Sequence, residues 1–84
     1  MKPVTIYTTA WCPYCHRAKA LLTQKGVAFN EIDVTMDAKT REEMARKAGR
    51  TSVPQIWIGE AHVGGSDDLH ALERAGKLDA LLAN

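Results

Sequence analysis

Residues 4–25 read VTIYTTAWCPYCHRAKALLTQK, and the reading of the whole chain starts from this stretch. From Val4 to Tyr7, Val4 and Ile6 alternate with Thr5 and Tyr7, the period of a strand. From Pro13 to Lys25 the period changes. Tyr14, Ala18, Leu21 and Leu22 fall at i, i+4, i+7 and i+8, one face of a helix. Gly26 stands where a helix stop belongs. Pro13 suits the first helical position, which makes Cys12 the N-cap. A strand therefore runs directly into a helix whose first turn carries both cysteines of the chain.

Working outward, Val27 to Val34 reads as a second strand, and its imperfect alternation predicts burial on both faces. Thr40-Arg41-Glu42-Glu43 matches a capping box, and Gly49 would end the helix it opens. Within that helix, Lys39 to Lys47 alternates charge sign and reads as a solvated face. Pro54 to Ile58 is a third strand with Ile56 and Ile58 on one side. Gly59-Glu60 turns it into Ala61–Val63. Gly64-Gly65 leads to Ser66-Asp67-Asp68, read as an N-cap and an acidic first turn. Leu69 and Leu72 give the last helix its apolar face. Gly76 breaks it before a final turn with Leu78, Leu81 and Leu82. The order is β-α-β-α-β-β-α. Its first unit implies a parallel pair with a right-handed crossover, and the later hairpin makes the sheet mixed, an α/β fold.

The 84 residues suit one domain over 1–84, without repeats or linkers. A domain this size buries only about 60–65% of its unfolded surface. A formal net charge of +1 offers no electrostatic reason to expect nucleic acid or an anionic membrane as partner. No run approaches the roughly 18–20 apolar residues of a membrane span. Met1-Lys2-Pro3-Val4 enters a strand with no apolar leader, so a cytoplasmic location is expected.

That expectation bears on Cys12 and Cys15. A bridge between them closes a tiny loop and stabilises little, and in a reducing compartment such a pair is more often catalytic or metal-binding. At the N-cap, unsatisfied N–H groups and the positive end of the helix dipole face the Cys12 sulfur, which favours the nucleophilic thiolate. Cys15, one turn on and deeper, could resolve a mixed disulfide formed on Cys12. C-x-x-C beside a β-α-β pattern is the thioredoxin-like redox signature. Three rivals stay open. A zinc site needs four ligands, and the only others are the scattered His16, His62 and His70. Cys12-Pro13-Tyr14-Cys15-His16 matches a haem anchor but lacks an export signal and a clear second axial ligand. A purely structural pair is the third. His16 itself reads as a solvated residue.

Taken together, Ile6-Tyr7-Thr8 leading to Cys12-Pro13-Tyr14-Cys15, Thr51-Ser52-Val53-Pro54, and Gly64-Gly65-Ser66-Asp67-Asp68 resemble glutaredoxin, of the dithiol type, over nearly the whole chain. The resemblance implies a thioredoxin-like fold with a four-stranded mixed sheet and helices on both faces. It implies glutathione-dependent reduction of protein–glutathione mixed disulfides and protein disulfides, with glutathione as co-substrate and no permanently bound cofactor or metal. By resemblance Cys12 is the nucleophile and Cys15 the resolving cysteine. Tyr14 lies beside the glutathione sulfur. Val53-Pro54 is a cis-proline loop whose backbone meets the cysteinyl part of glutathione. Gly65, Ser66 and Asp67 receive the γ-glutamyl end, and Arg41 reaches the glycine carboxylate.

The physics of that γ-glutamyl site is legible without the family. A helix N-terminus offers N–H groups to a carboxylate, and an acidic side chain beside it can hold an ammonium. The chain departs from the family pattern twice. Thr9 stands where a Lys is frequent, and Ser66 where a further Cys is frequent. The expected partners are glutathione and disulfide-containing or glutathionylated proteins, and the expected state is a monomer. An iron–sulfur scaffold built on Cys12 is the main alternative from another class, and Pro13 and Cys15 argue against it. A reductase working through a flavoprotein is the other.

Overall fold

β1 (Val4–Thr8) occupies the interior of the sheet and decides where the other strands go. The computed structural model describes residues 1–83. After β1 come α1 (Pro13–Gln24), β2 (Phe29–Asp33), α2 (Ala38–Ala48), β3 (Gln55–Ile58), β4 (Ala61–Gly64), α3 (Ser66–Arg74) and α4 (Leu78–Ala83). The four strands lie in the order β2-β1-β3-β4. β1 runs parallel to β2, with Thr8 opposite Asp33, and antiparallel to β3, with Tyr7 opposite Gln55. β3 and β4 are antiparallel, with Ile56 opposite Gly64.

This register has a consequence for the site. The segments after β1, after β2, before β3 and after β4 all emerge at one end of the sheet. Cys12, Met36, the Ser52–Pro54 loop and the start of α3 are therefore neighbours in space, although they are scattered along the chain.

Strand alternation places two different apolar sets on the two faces. On one, Val4, Ile6, Ile56 and Ile58 pack with Ala18, Leu21 and Leu22 of α1, Leu69 of α3, and Leu78 and Leu82 of α4. On the other, Tyr7 and Trp57 pack with Val34 and Met44. The Tyr7 and Trp57 rings meet edge-to-face at 5.4 Å, and the Lys47 ammonium lies 5.1 Å above the Trp57 ring. Both faces are thus covered, as the resemblance implied: a thioredoxin-like fold.

The order of elements is the expected one, with corrections in detail. Gly76, at φ 71°, separates α4 from α3 as its own short helix. β2 is not buried on both faces. It is an edge strand with Asn30, Glu31 and Asp33 exposed, and the apolar Val27 and Val34 flank it in the core. Tyr14 is exposed, and Cys15 takes its place on the buried face of α1. The N-cap of α2 is Asp37, not Thr40. The Asp37 carboxylate accepts from the Thr40 backbone N–H at 3.0 Å and from its hydroxyl at 2.7 Å. Asp37-Ala38-Lys39-Thr40 offers the same spacing one turn earlier, and an ionised carboxylate is a stronger acceptor than a hydroxyl.

Met44 is the one fully buried residue of α2. Met44→Ala should cost about 2–5 kcal/mol, read as a lower urea midpoint with an unchanged m-value. A loss no larger than that of an exposed α2 substitution such as Glu42→Ala would show that this helix is held otherwise.

Candidate active site

The N-cap of α1 is a sulfur. Cys12 has extended backbone angles, and its Sγ accepts a hydrogen bond from the Cys15 backbone N–H at 3.1 Å. The Pro13 nitrogen carries no hydrogen, and the His16 N–H makes the first main-chain bond of the helix, to the Cys12 carbonyl at 3.1 Å. One orphan donor of the first turn, the Cys15 N–H, is thus satisfied by the thiol sulfur. On its other side Cys12 Sγ donates to the Val53 carbonyl oxygen at 3.7 Å. The Val53–Pro54 peptide bond is cis.

Cys15 lies behind Cys12, almost completely buried. Burial, assisted by a hydrogen bond to Cys12, pushes its thiol up to about 12. At neutral pH Cys15 is therefore a protonated thiol. Both cysteines are free in this structure, so it represents the dithiol form.

From Val53 a groove runs between Tyr14, Arg50 and the Ser52–Pro54 loop on one side and residues 65–68 on the other. Its far wall is the N-terminus of α3. The cap there is Gly65, not Ser66. Gly65 donates its N–H to the Asp68 carboxylate at 2.9 Å, and Arg50 grips the same oxygen at 2.9 Å. These two contacts, the backbone one the larger, hold the Asp68 carboxyl below its ordinary range. Gly64 must be a glycine: at φ 114° an added Cβ would collide with the Arg50 guanidinium and the Asp68 carboxylate.

Ser66 is buried at the first helical position, with its hydroxyl facing the His70 ring. Leu69 makes the first main-chain bond of α3, to Gly65, so the N–H groups of Ser66, Asp67 and Asp68 have no partner within the helix. Asp67 is exposed at the groove and has no hydrogen-bond or ion-pair partner among the described residues. The cap and the free carboxylate are thus two different residues.

The groove brings together Tyr14, Val53, Pro54, Gly65, Ser66 and Asp67. Arg41 does not line it. Its guanidinium reaches back from α2 to the Thr51 carbonyl at 3.2 Å, just outside the proline loop. Sequence reasoning passed over two residues. Arg50 supplies the cation that does line the groove; its signal was a lone basic residue following the Gly49 helix stop. Gln55 is fully buried and holds the proline loop. Its Nε2 donates to the Ser52 carbonyl at 3.0 Å, and its Oε1 accepts from His62 Nε2 at 2.7 Å. Burial and the Arg50 charge lower the His62 pKa, which keeps the ring neutral. An amide inside an otherwise apolar strand beside Pro54 was the available sign.

The glutaredoxin family model matches residues 4–63. A glutaredoxin from Pseudomonas aeruginosa is 72% identical over 83 residues, spanning 99% of each chain. Glutaredoxin 3 of Escherichia coli K12 is 57% identical over 82 residues, covering 98% of this chain and 99% of its own. Among solved structures, a buckwheat glutaredoxin–glutathione complex superposes with a TM-score of 0.91 at 28% identity, over 98% of this chain and 77% of that one. The solution structure of a Brucella melitensis glutaredoxin gives 0.88 at 58% identity, over 98% and 89%. With a helix-capping thiol beside a second helix N-terminus that has free N–H groups, and with relatives this similar along their full length, the chain belongs to the glutaredoxin family of thiol–disulfide oxidoreductases.

Proposed function

We propose that the chain reduces protein–glutathione mixed disulfides, and some protein disulfides, through Cys12 and Cys15 with glutathione as electron donor. The observation that carries this reading is the groove. It starts at Val53, against the thiol of Cys12, and ends at free N–H groups of a helix N-terminus beside an unpaired carboxylate. That end complements an α-amino acid, which presents a carboxylate and an ammonium on one carbon. The γ-glutamyl end of glutathione is such a group. Ser66 and Asp67 N–H groups take its carboxylate, and Asp67 Oδ takes its ammonium. The backbone of Val53 pairs with the cysteinyl part, and Tyr14 covers the sulfur. Arg50 and Arg41 supply cations toward the glycine carboxylate.

The chemistry then proceeds by displacement. The Cys12 thiolate attacks the glutathione sulfur of the mixed disulfide, the bond to the substrate protein breaks, and the protein leaves as a thiolate. A second glutathione attacks the Cys12 adduct and leaves as oxidised glutathione. With a protein disulfide, Cys12 attacks one protein sulfur and the other leaves as a thiolate. Cys15, held as a thiol at neutral pH, then attacks the Cys12 sulfur, forming a Cys12–Cys15 disulfide and releasing the second protein sulfur, which takes up the Cys15 proton; two glutathiones reduce that disulfide and leave as oxidised glutathione. The proposal places this protein in the cytoplasm as a monomer. Steady-state assays on a glutathione mixed disulfide, with glutathione and thioredoxin reductase compared as electron sources, test the donor. Turnover with the flavoprotein alone would contradict it.

Cys12→Ser should abolish activity. Cys15→Ser should keep deglutathionylation and lose reduction of protein disulfides that need an internal resolver; a Cys15→Ser variant inactive on both would refute this division of roles. Iodoacetamide at pH 7 should label Cys12 and leave Cys15 unmodified in tandem mass spectra, because the Cys15 thiol gains thiolate character only as pH approaches about 12.

Asp67→Asn should raise the KM for glutathione by roughly two- to five-fold, the worth of an exposed ion pair. The effect should shrink as salt rises, and the melting temperature should stay unchanged. Asp68→Asn should do the reverse and lower the melting temperature. Its folded-state pKa is depressed, so its stabilisation is present above the ordinary carboxylate range and fades as pH falls through the lower folded value. The two melting curves should therefore converge in acid. Equal effects of the two substitutions on KM would mean that cap and ligand site are not separate.

A further inference from the structure

His62 stands on the edge strand β4 and lines no part of the groove. It nevertheless reaches the proline loop through one buried side chain. Its Nε2 lies 2.7 Å from Gln55 Oε1. Gln55 Nε2 lies 3.0 Å from the Ser52 carbonyl oxygen and 3.4 Å from Ser52 Oγ. The His62 ring rests on Trp57, with 4.7 Å between centroids and 35° between planes, and Tyr7 holds Trp57 edge-on at 5.4 Å.

The hydrogens along this chain are forced from its loop end. A carbonyl oxygen only accepts, so the Gln55 group facing Ser52 is the NH2. The atom left for His62 is then an oxygen, and His62 Nε2 must carry the hydrogen. The neutral ring is therefore the Nε2–H tautomer. Gln55 is fully buried. Without the His62 donor its oxygen would lose its one hydrogen bond among the described residues. Turning the amide over would satisfy nothing, because it sets that oxygen against the Ser52 carbonyl.

The Ser52 carbonyl and the Val53 N–H belong to one planar peptide unit. That unit is trans, so the two groups point in opposite directions. Holding the carbonyl on buried Gln55 aims the Val53 N–H away from the core, and Val53 lines the groove. We propose that His62 is a positioning residue for glutathione: by donating to Gln55 it fixes the amide that orients the Ser52–Val53 peptide, and so aims the Val53 N–H at the cysteinyl part of the ligand. This rests on the glutathione reading above and adds to it a residue outside the groove.

Two substitutions separate the donor from the ring. His62→Phe keeps a ring on Trp57 and deletes the donor, whereas His62→Gln keeps a donor near the place of Nε2. On the glutathione mixed disulfide of a short peptide, at fixed glutathione, His62→Phe should raise KM by roughly three- to tenfold, the worth of one hydrogen bond, with kcat within about twofold of wild type. His62→Gln should restore most of that loss. Gln55→Leu should also raise KM, and adding His62→Phe to it should change KM no further, because the effect of His62 passes through Gln55. Nitrogen NMR of the wild-type imidazole should show the Nε2–H tautomer in the neutral ring, a readout that stands even if Gln55→Leu does not fold. An Nδ1–H tautomer, a His62→Phe variant that melts earlier at unchanged KM, or a full further rise in KM on the Gln55→Leu background would overturn the proposal. Failure of the wild type to turn over that mixed disulfide with glutathione would instead remove the underlying reading, and the role of His62 with it.

Discussion

The hydrogen bond from the Cys15 N–H to the Cys12 sulfur is the contact on which this site depends. A cap is a geometric commitment: it places one atom on the helix axis, before the first turn, where donors converge. Here that atom is also the reactive one. The same bond orders the pair, because the residue that donates the N–H holds its own thiol one turn deeper. Cys12 stands against the Val53 carbonyl, where the groove begins, and Cys15 is kept as a thiol by the core around it.

Everything else at the site follows from where β1 lies. Because it is interior, parallel to one neighbour and antiparallel to the other, four connections meet at its C-terminal end. The proline loop faces the thiol for this reason, and the α3 N-terminus closes the groove. Gln55 is the hidden support. It is a fully buried amide that spends its groups on the Ser52 carbonyl and His62, so the loop it follows is held from beneath. A buried polar group with all its partners fixes one arrangement of the backbone around it.

Much of this was legible in the sequence, and the failures have physical causes. Strand and helix periods, Gly26, Gly49 and Gly76 as stops, and Cys12 as a cap each depend on local rules, and the structure obeys them. The caps of α2 and α3 were misplaced because several acidic and hydroxyl residues adjoin each helix start, and spacing alone does not choose among them. At α3 the Asp68 carboxylate accepts from Gly65, and Arg50 holds the same oxygen from outside the helix. β2 was read as doubly buried because Val27 and Val34, just outside it, are core residues that inflate its apolar content. Tyr14 matched the helical period yet faces the groove. Arg50 could not be chosen over Arg41 without knowing that the residues after α2 return to the α3 N-terminus.

The measurement that bears most directly on the central claim is a two-dimensional amide NMR comparison of Cys15→Ser before and after glutathionylation at Cys12. If glutathione lies in the groove, the amides of Tyr14, Val53, Ser66 and Asp67 shift together, while those of Leu72 and Leu81, on the far side of α3, stay in place. Shifts confined to residues next to Cys12, with Ser66 and Asp67 unmoved, would show that the glutathione hangs in solvent and that the groove is not its site.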